Sequence, residues 1–253
     1  MRLLLDLGNT RLKWALQGDA VEWLAHGALD WQGNVADQLV EAWMGLPRPN
    51  QVVGASVVAV AREQQVADVV QRRFECVPTW LRTPAHACGV RNAYAEPQRL
   101  GVDRFLTMVA AHATHREPCV LATAGTALVL DAMAQSGRHL GGLIAPGVRL
   151  MQQSLLDATA LVRPQRAGDI LELADNTADA VASGCWQAAA ALIERFYARV
   201  LPRLGGAAVL ILDGGDAQQL VPLLSMPAQL GQDSVLRGLV LWANAHMSSS
   251  PNV

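Results

Sequence analysis

Charge is scarce in this chain. Asp, Glu, Lys and Arg make up 17% of its 253 residues, and Lys13 is the only lysine among 20 basic side chains. With a net charge of -2 and no basic block, the sequence lacks the electrostatic footprint of a nucleic-acid binder. Long apolar runs are missing too. No stretch reaches the ~18 uninterrupted apolar residues of a membrane span, and the first apolar run is broken by Asp6, which does not suit a signal peptide. The four cysteines, Cys76, Cys88, Cys119 and Cys185, show neither Cys-x-x-Cys spacing nor a nearby histidine pattern. That argues against zinc and for reduced thiols in a cytoplasmic protein. No Gly-x-x-x-x-Gly-Lys-[Ser/Thr] occurs, which excludes a P-loop.

What the chain has is apolar mass. Hydrophobic residues make up 51% of it, and the mean hydropathy is +0.20. The length allows one large domain or two of roughly 120 residues. The apolar content exceeds what a monomer of this size needs, so a buried subunit interface is expected.

The opening stretch organises the rest. Leu3-Leu4-Leu5-Asp6-Leu7 reads as a strand that ends on a carboxylate, turns at Gly8-Asn9, and resumes as an alternating strand through Leu16. Such a turn exposes backbone N–H groups to an anion. Asp6 can hold a hydrated metal ion beside it, and Thr10 and Lys13 can reach phosphate oxygens. A third strand is expected over Ala20–Ala28, a helix over Val35–Met44, a strand over Gln51–Val60, a helix over Glu63–Phe74 and a short strand over Val77–Leu81. An irregular stretch from Thr83 to Leu100 leads into a helix through Phe105, Val109 and His112.

From Cys119 the opening pattern recurs: strand, Gly125-Thr126 turn, strand to Asp131, and a third strand over His139–Ala145. Helices near Leu150–Leu156 and over Ala178–Val200, a strand over Ala207–Leu212, and helices near Gln218–Leu224 and Ser234–His246 complete the pattern. The tail Ser248–Val253 is expected to be disordered. The reading is an α/β chain of two similar lobes, 1–115 and 116–253, with a hinge near 113–118.

Two glycine turns from two similar lobes could grip one polyphosphate across a cleft, as phosphoryl transfer requires. Asp213-Gly214-Gly215-Asp216, at a strand end, could pack its backbone against a nucleoside. Asp103, in a first helical turn, could accept a proton from an attacking hydroxyl, and Arg104 could grip a carboxylate with both prongs. Both also suit an ordinary acidic helix entry. His112 and His115 read as a solvated helix face, Ala188–Ile193 as packing surface, and Trp14, Trp23, Trp31 and Trp43 as core or surface anchors.

Together these pieces resemble the type III pantothenate kinases, members of the actin/hexokinase/Hsp70 superfamily whose lobes are ribonuclease H-like. The resemblance rests on Asp6-Leu7-Gly8-Asn9-Thr10 with Lys13, on Asn92-Ala93-Tyr94 followed by Leu100-Gly101-Val102-Asp103-Arg104, and on Ala124-Gly125-Thr126-Ala127. It continues through Gly141–Gly147, Asn176-Thr177 to Ser183-Gly184, and Asp213–Ala217, so it spans nearly the whole chain. It implies ATP-dependent phosphorylation of the primary hydroxyl of pantothenate, the first step toward coenzyme A, in the cytoplasm. By the same resemblance Asp6, Gly8, Asn9, Thr10 and Lys13 form the first phosphate site, with Asp6 on Mg²⁺. Gly125, Thr126, Gly214 and Gly215 contact ATP from the second lobe. Asp103 is the general base, Tyr94, Gly101, Val102 and Arg104 hold pantothenate, and Thr177 completes the site of the partner in a homodimer. Where the family carries an acidic ligand for a monovalent cation (potassium or ammonium), this chain has Thr123. A non-catalytic accessory factor in transcription is the alternative reading, and another sugar or acid kinase of the superfamily is a third.

Overall fold

Leu3, Leu5 and Leu7 alternate with Leu4 and Asp6 along strand β1 (Arg2–Leu7), and the leucines of both faces are buried. A strand covered on both sides needs packing partners above and below. The computed structural model, which describes residues 1–18 and 23–247, supplies them. Strand β1 pairs antiparallel with β2 (Arg11–Gln17), which pairs antiparallel with β3 (Trp23–Asp30). After helix α1 (Val35–Ala42), β4 (Gln51–Ser56) lies parallel to the other edge of β1. Helix α2 (Val60–Phe74) then returns the chain to β5 (Thr79–Leu81), giving the order β3-β2-β1-β4-β5.

The two faces of this sheet have different partners. Leu3, Leu5, Leu7, Leu12, Trp14 and Leu16 pack against Leu39, Trp43, Val66, Val70 and Phe74 of α1, α2 and their flanks. Trp14 and Trp43 meet edge to face at 6.4 Å, an arrangement that aromatic quadrupoles favour. On the opposite face Leu4, Ala15, Val53 and Ala55 pack against Val102 and Leu106 of α3 (Val102–Thr114) and Leu236, Leu239 and Ala243 of α7 (Ser234–Met247). Each fully buried Leu or Val contributes on the order of 1.5–3 kcal/mol. Helices α3 and α7 lie so close that a Cβ on Gly238 would meet the Leu106 carbonyl oxygen at 2.1 Å.

The second half repeats the plan. Strands β8 (Cys119–Ala124), β9 (Ala127–Met133) and β10 (His139–Pro146) form an antiparallel meander. Strand β11 (Val209–Asp213) lies parallel to β8, and β12 (Gln229–Leu230) beside it, in the order β10-β9-β8-β11-β12. Position for position this matches the first sheet, so the two halves share one architecture, the duplication expected from the sequence. Helix α5 (Thr177–Val200) covers one face through Cys185, Trp186, Ala189, Ile193 and Phe196, against Val120, Ala122, Leu128, Leu130, Leu210 and Leu212. The Ala188–Ile193 stretch is therefore packing surface in part. Helix α4 (Val148–Ala158) precedes α5, and the single-turn α6 (Ala217–Leu220) follows β11.

The chain divides into two units. One comprises Met1–Thr114 together with the chain from Asp233 onward, and the other His115–Gln232. The sequence reading assigned everything after residue 115 to the second lobe. Helix α7 instead packs on α3, β1 and β4 of the first unit. Part of the expected Ala20–Ala28 strand and all of the Ser248–Val253 tail lie outside the described residues; the strand that is described runs from Trp23. The expected irregular stretch after Thr83 contains a small hairpin, β6 (His86–Ala87) and β7 (Val90–Arg91). His115 falls beyond the end of α3, so it does not share a helix face with His112. The His112 ring is half-buried under the β6–β7 turn, where a Cβ on Gly89 would meet it at 2.7 Å. No helix among the described residues is long and apolar enough to cross a membrane.

Candidate active site

In the first unit, the turn between β1 and β2 is closed by a hydrogen bond from the Gly8 N–H to the Arg11 carbonyl at 3.0 Å. Its outer carbonyls are engaged by one residue of the neighbouring strand's end. The Trp31 indole Nε1–H donates to the Gly8 carbonyl at 2.7 Å, and the Trp31 backbone N–H to that of Thr10 at 3.4 Å. The Arg62 guanidinium lies 5.1 Å from the centre of the Trp31 ring, within cation–π range. An ion pair of 2.8 Å between Arg11 and Asp30 ties the start of β2 to the end of β3. Sequence reasoning treated Trp31 as a packing anchor; nothing in its spacing signalled a bond to the turn eight residues from the chain's start.

Strand register fixes the charged residues beside that turn. Asp6 faces Lys13 across the β1–β2 pair and Ala55 across the β1–β4 pair. Asp6 shares its parity with Leu4, and Lys13 with Ala15, so both belong to the sheet face that α3 and α7 cover. This brings a half-buried carboxylate and the chain's one lysine together at the end of the strand that leads into the turn.

Asp103 and Arg104 open α3 on the same side of this unit. The Asp103 Oδ1 accepts the Arg104 backbone N–H at 2.8 Å, and its carboxylate folds back over Gly101. A Cβ there would meet Oδ1 at 2.4 Å. The helix entry is held from both ends, with Thr83 Oγ1 donating to the Leu100 carbonyl at 2.7 Å and Thr107 Oγ1 to that of Asp103 at 2.9 Å. Arg104, buried on the helix, donates to the Tyr94 hydroxyl at 3.1 Å and lies 5.7 Å from that ring's centre. Tyr94 is placed by Asn92, whose side chain accepts the Tyr94 N–H at 2.9 Å and donates to the Pro97 carbonyl at 3.1 Å. Val102 is buried beneath this group as part of the packing stripe. The sequence-predicted residues Tyr94, Gly101, Val102, Asp103 and Arg104 therefore form one local constellation.

In the second unit, Thr123 stands one residue before the end of β8 and Gly125-Thr126 makes the turn, with the Gly125 N–H donating to the Ala127 carbonyl at 3.1 Å. The Gly147 N–H, entering α4, donates to the Thr126 carbonyl at 2.9 Å. The Asp213–Asp216 loop wraps onto the same turn, its Asp216 N–H donating to the Ala124 carbonyl at 3.2 Å. Gly214 sits at φ +99, where L side chains are rarely found, and a Cβ on it would meet that carbonyl oxygen at 2.2 Å. Burial raises the Asp216 carboxyl above its ordinary range, offset in part by Arg149 at 3.7 Å. Gly125, Thr126, Gly214 and Gly215 are thus gathered at one sheet end.

Thr177 lies elsewhere in this unit, as the first residue of α5. Asn176 caps that helix, accepting the Asp179 N–H at 3.1 Å. Asp179 is buried and accepts hydrogen bonds from Arg166 at 2.9 Å, from Asn176 at 2.6 Å and from the Asp169 N–H at 2.8 Å. Chiefly through Arg166, then Asn176 and Asp169, its pKa falls to about 2. Thr177 also borders a groove of about 840 Å³ between α4 and α5, with Met151, Leu155, Val162 and Val181.

The thiols carry no part of this chemistry. Cys119 is buried and its pKa is raised to about 11, chiefly by desolvation. No group of three or more His, Cys, Asp or Glu able to hold a metal occurs among the described residues.

Comparison with known proteins decides the family. The family model for type III pantothenate kinase matches residues 2–199. The chain belongs to that family. A type III pantothenate kinase from Aromatoleum aromaticum is 41% identical over 245 residues, covering 96% of this chain and 98% of its own. Among solved structures, a conserved Campylobacter jejuni protein assigned to the Baf family of transcriptional activators superposes with a TM-score of 0.63 at 19% identity, covering 98% and 100% of the two chains. The activator of 2-hydroxyisocaproyl-CoA dehydratase from Clostridium difficile, with bound ADPNP, gives 0.56 at 12% identity, covering 100% and 98%. These two likenesses concern the fold.

Proposed function

We infer that this chain is an ATP-dependent kinase that transfers the γ-phosphate to the primary hydroxyl of pantothenate, the first step of coenzyme A biosynthesis, in the cytoplasm. The observation that carries the reading is the Tyr94–Arg104–Asp103 constellation in the same unit as the Asp6–Lys13 turn, in a chain of this family. Asp103 takes the proton of the attacking hydroxyl as the oxygen bonds to the γ-phosphorus and ADP leaves. Arg104 pairs with the substrate carboxylate, and Tyr94, Gly101 and Val102 shape its seat. The turn at Gly8, Asn9 and Thr10, with Lys13, takes the nucleotide's phosphates; Gly125, Thr126, Gly214 and Gly215 are the second unit's contribution to ATP.

Asp6 is suited to Mg²⁺. That ion favours one or two carboxylates plus substrate phosphates and water over an all-protein cage, and a single carboxylate beside a phosphate turn fits it. When bound, Mg²⁺ neutralises charge on the phosphate oxygens.

The protein acts as a homodimer in this reading. Leu161 and Leu173 are 93% and 91% exposed, Leu155 and Leu171 are also exposed, and the α4–α5 groove beside them is lined largely by apolar side chains. A second copy covers this surface, and Thr177 then serves the partner's pantothenate site. Sedimentation of a Leu161→Glu/Leu173→Glu variant as a monomer, against a wild-type dimer, supports this. A substrate panel tests the chemistry: phosphorylation of pantothenate in preference to hexoses supports the assignment, and the reverse order overturns it.

A further inference from the structure

Arg2, Gln17 and Gln51 stand side by side on β1, β2 and β4, on the sheet face that α7 covers. They lie at the far end of the β1–β2 ladder from the Gly8 turn, five residues of strand away, or about 17 Å at the usual rise. The half-buried Arg2 guanidinium donates only to neutral amide oxygens. Its Nε reaches Gln51 Oε1 at 3.1 Å, and its Nη1 reaches Asn244 Oδ1 at 2.9 Å and, more weakly, Gln17 Oε1 at 3.5 Å. No Asp or Glu among the described residues pairs with it, and burial pulls its pKa below the ordinary value. A cation partly stripped of water and left without a counter-ion attracts an anion.

The amides extend the donor set. Arginine offers no acceptor, so each amide that touches it presents its oxygen and turns its NH₂ group away. Gln17 is only 8% exposed, and its Nε2 has no hydrogen-bond partner among the described residues. Arg2 Nη2 is uncommitted in the same sense. Both side chains border a cavity of about 380 Å³, the size of a small-molecule site. Met1 and Met247 border it as well, and their flexible thioether chains can adapt to an irregular apolar body.

We propose that this cavity binds a small organic acid, its carboxylate held by Arg2 Nη2 and Gln17 Nε2 and its apolar part by Met1 and Met247. The site is separate from the candidate active site and does not depend on the kinase reading, which places the substrate carboxylate on Arg104.

The test is an NMR titration of the full-length, nitrogen-15-labelled protein with sodium butyrate, at an ionic strength held constant with sodium chloride. The Arg2 Nε–H and the Gln17 side-chain amide report on the site. Wild type is expected to show saturable shifts of both signals. Arg2→Met, followed at Gln17, weakens binding at least about tenfold, the scale of a lost hydrogen bond to a charged group. Gln17→Met, followed at Arg2, also weakens it while the Arg2 bonds to Gln51 and Asn244 remain, and it decides the matter if Arg2→Met does not fold. Arg104→Met leaves binding unchanged. Wild-type signals that stay still, or drift without saturating, overturn the proposal. So does a response that survives Arg2→Met and Gln17→Met but disappears in Arg104→Met, since the acid then sits at the candidate active site. A parallel titration with sodium phosphate that shifts these signals where butyrate does not also overturns it.

Discussion

The Trp31 indole N–H donates to the Gly8 carbonyl at 2.7 Å, so the residue just after β3 holds the glycine turn between β1 and β2. Because Trp31 also engages the Thr10 carbonyl, two of the turn's carbonyls are kept toward β3, which holds the shape of the turn proposed to take the nucleotide's phosphates. Trp31→Phe keeps the ring under Arg62 and removes the indole donor. A lost hydrogen bond of about 1 kcal/mol predicts a roughly fivefold rise in KM for ATP. KM for pantothenate and the melting temperature should hardly move. Steady-state kinetics with each substrate varied check this, and an unchanged KM for ATP would contradict it.

Gly101 leaves room for the carboxylate that follows it. In Gly101→Ala the new Cβ would meet Asp103 Oδ1 at 2.4 Å, and the movable partner in that clash is the carboxylate itself. The expected result is a fall in kcat of at least about 100-fold, the scale of a lost general base. Thermal unfolding should stay close to wild type. A large loss of stability with normal turnover per folded molecule would show that Gly101 serves only the fold.

The network at the start of α5 should make stability depend on acid. The Asp179 pKa is lowered to about 2 by Arg166, Asn176 and the Asp169 N–H. A carboxylate depressed in the folded state stabilises it above the unfolded pKa, and that contribution fades as pH falls through the folded pKa. The melting-temperature gap between wild type and Asp179→Asn should therefore be full at neutral pH and shrink from about pH 4 downward. A gap independent of pH between 3 and 7 would mean that packing, not charge, gives Asp179 its role.

Much of this was legible in the sequence because it depends on local pattern. The two strand–glycine turn–strand units follow from alternation and turn chemistry, and the Gly101–Arg104 helix entry from its position after Leu100. The misses are non-local. Helix α7 has the apolar stripe of any packed helix, and nothing in that stripe says it docks on α3, 130 residues earlier in the chain; the close approach at Gly238 shows it only in three dimensions. Trp31 reads as one more apolar anchor until its N–H is placed. The pairing of Thr123 with Asp213 is likewise a matter of strand register across 90 residues, which single-strand periodicity cannot supply.

The central claim is that Asp103 is the base of a pantothenate kinase. Its most direct test is ADP release by purified protein with ATP and Mg²⁺, with and without pantothenate, in potassium, ammonium and sodium salts, for wild type and Asp103→Asn. The account predicts pantothenate-dependent ADP release by wild type, and a folded Asp103→Asn protein slower by about 100-fold or more. Wild type that releases no ADP in response to pantothenate in any of these salts, or Asp103→Asn that turns over like wild type, would contradict it.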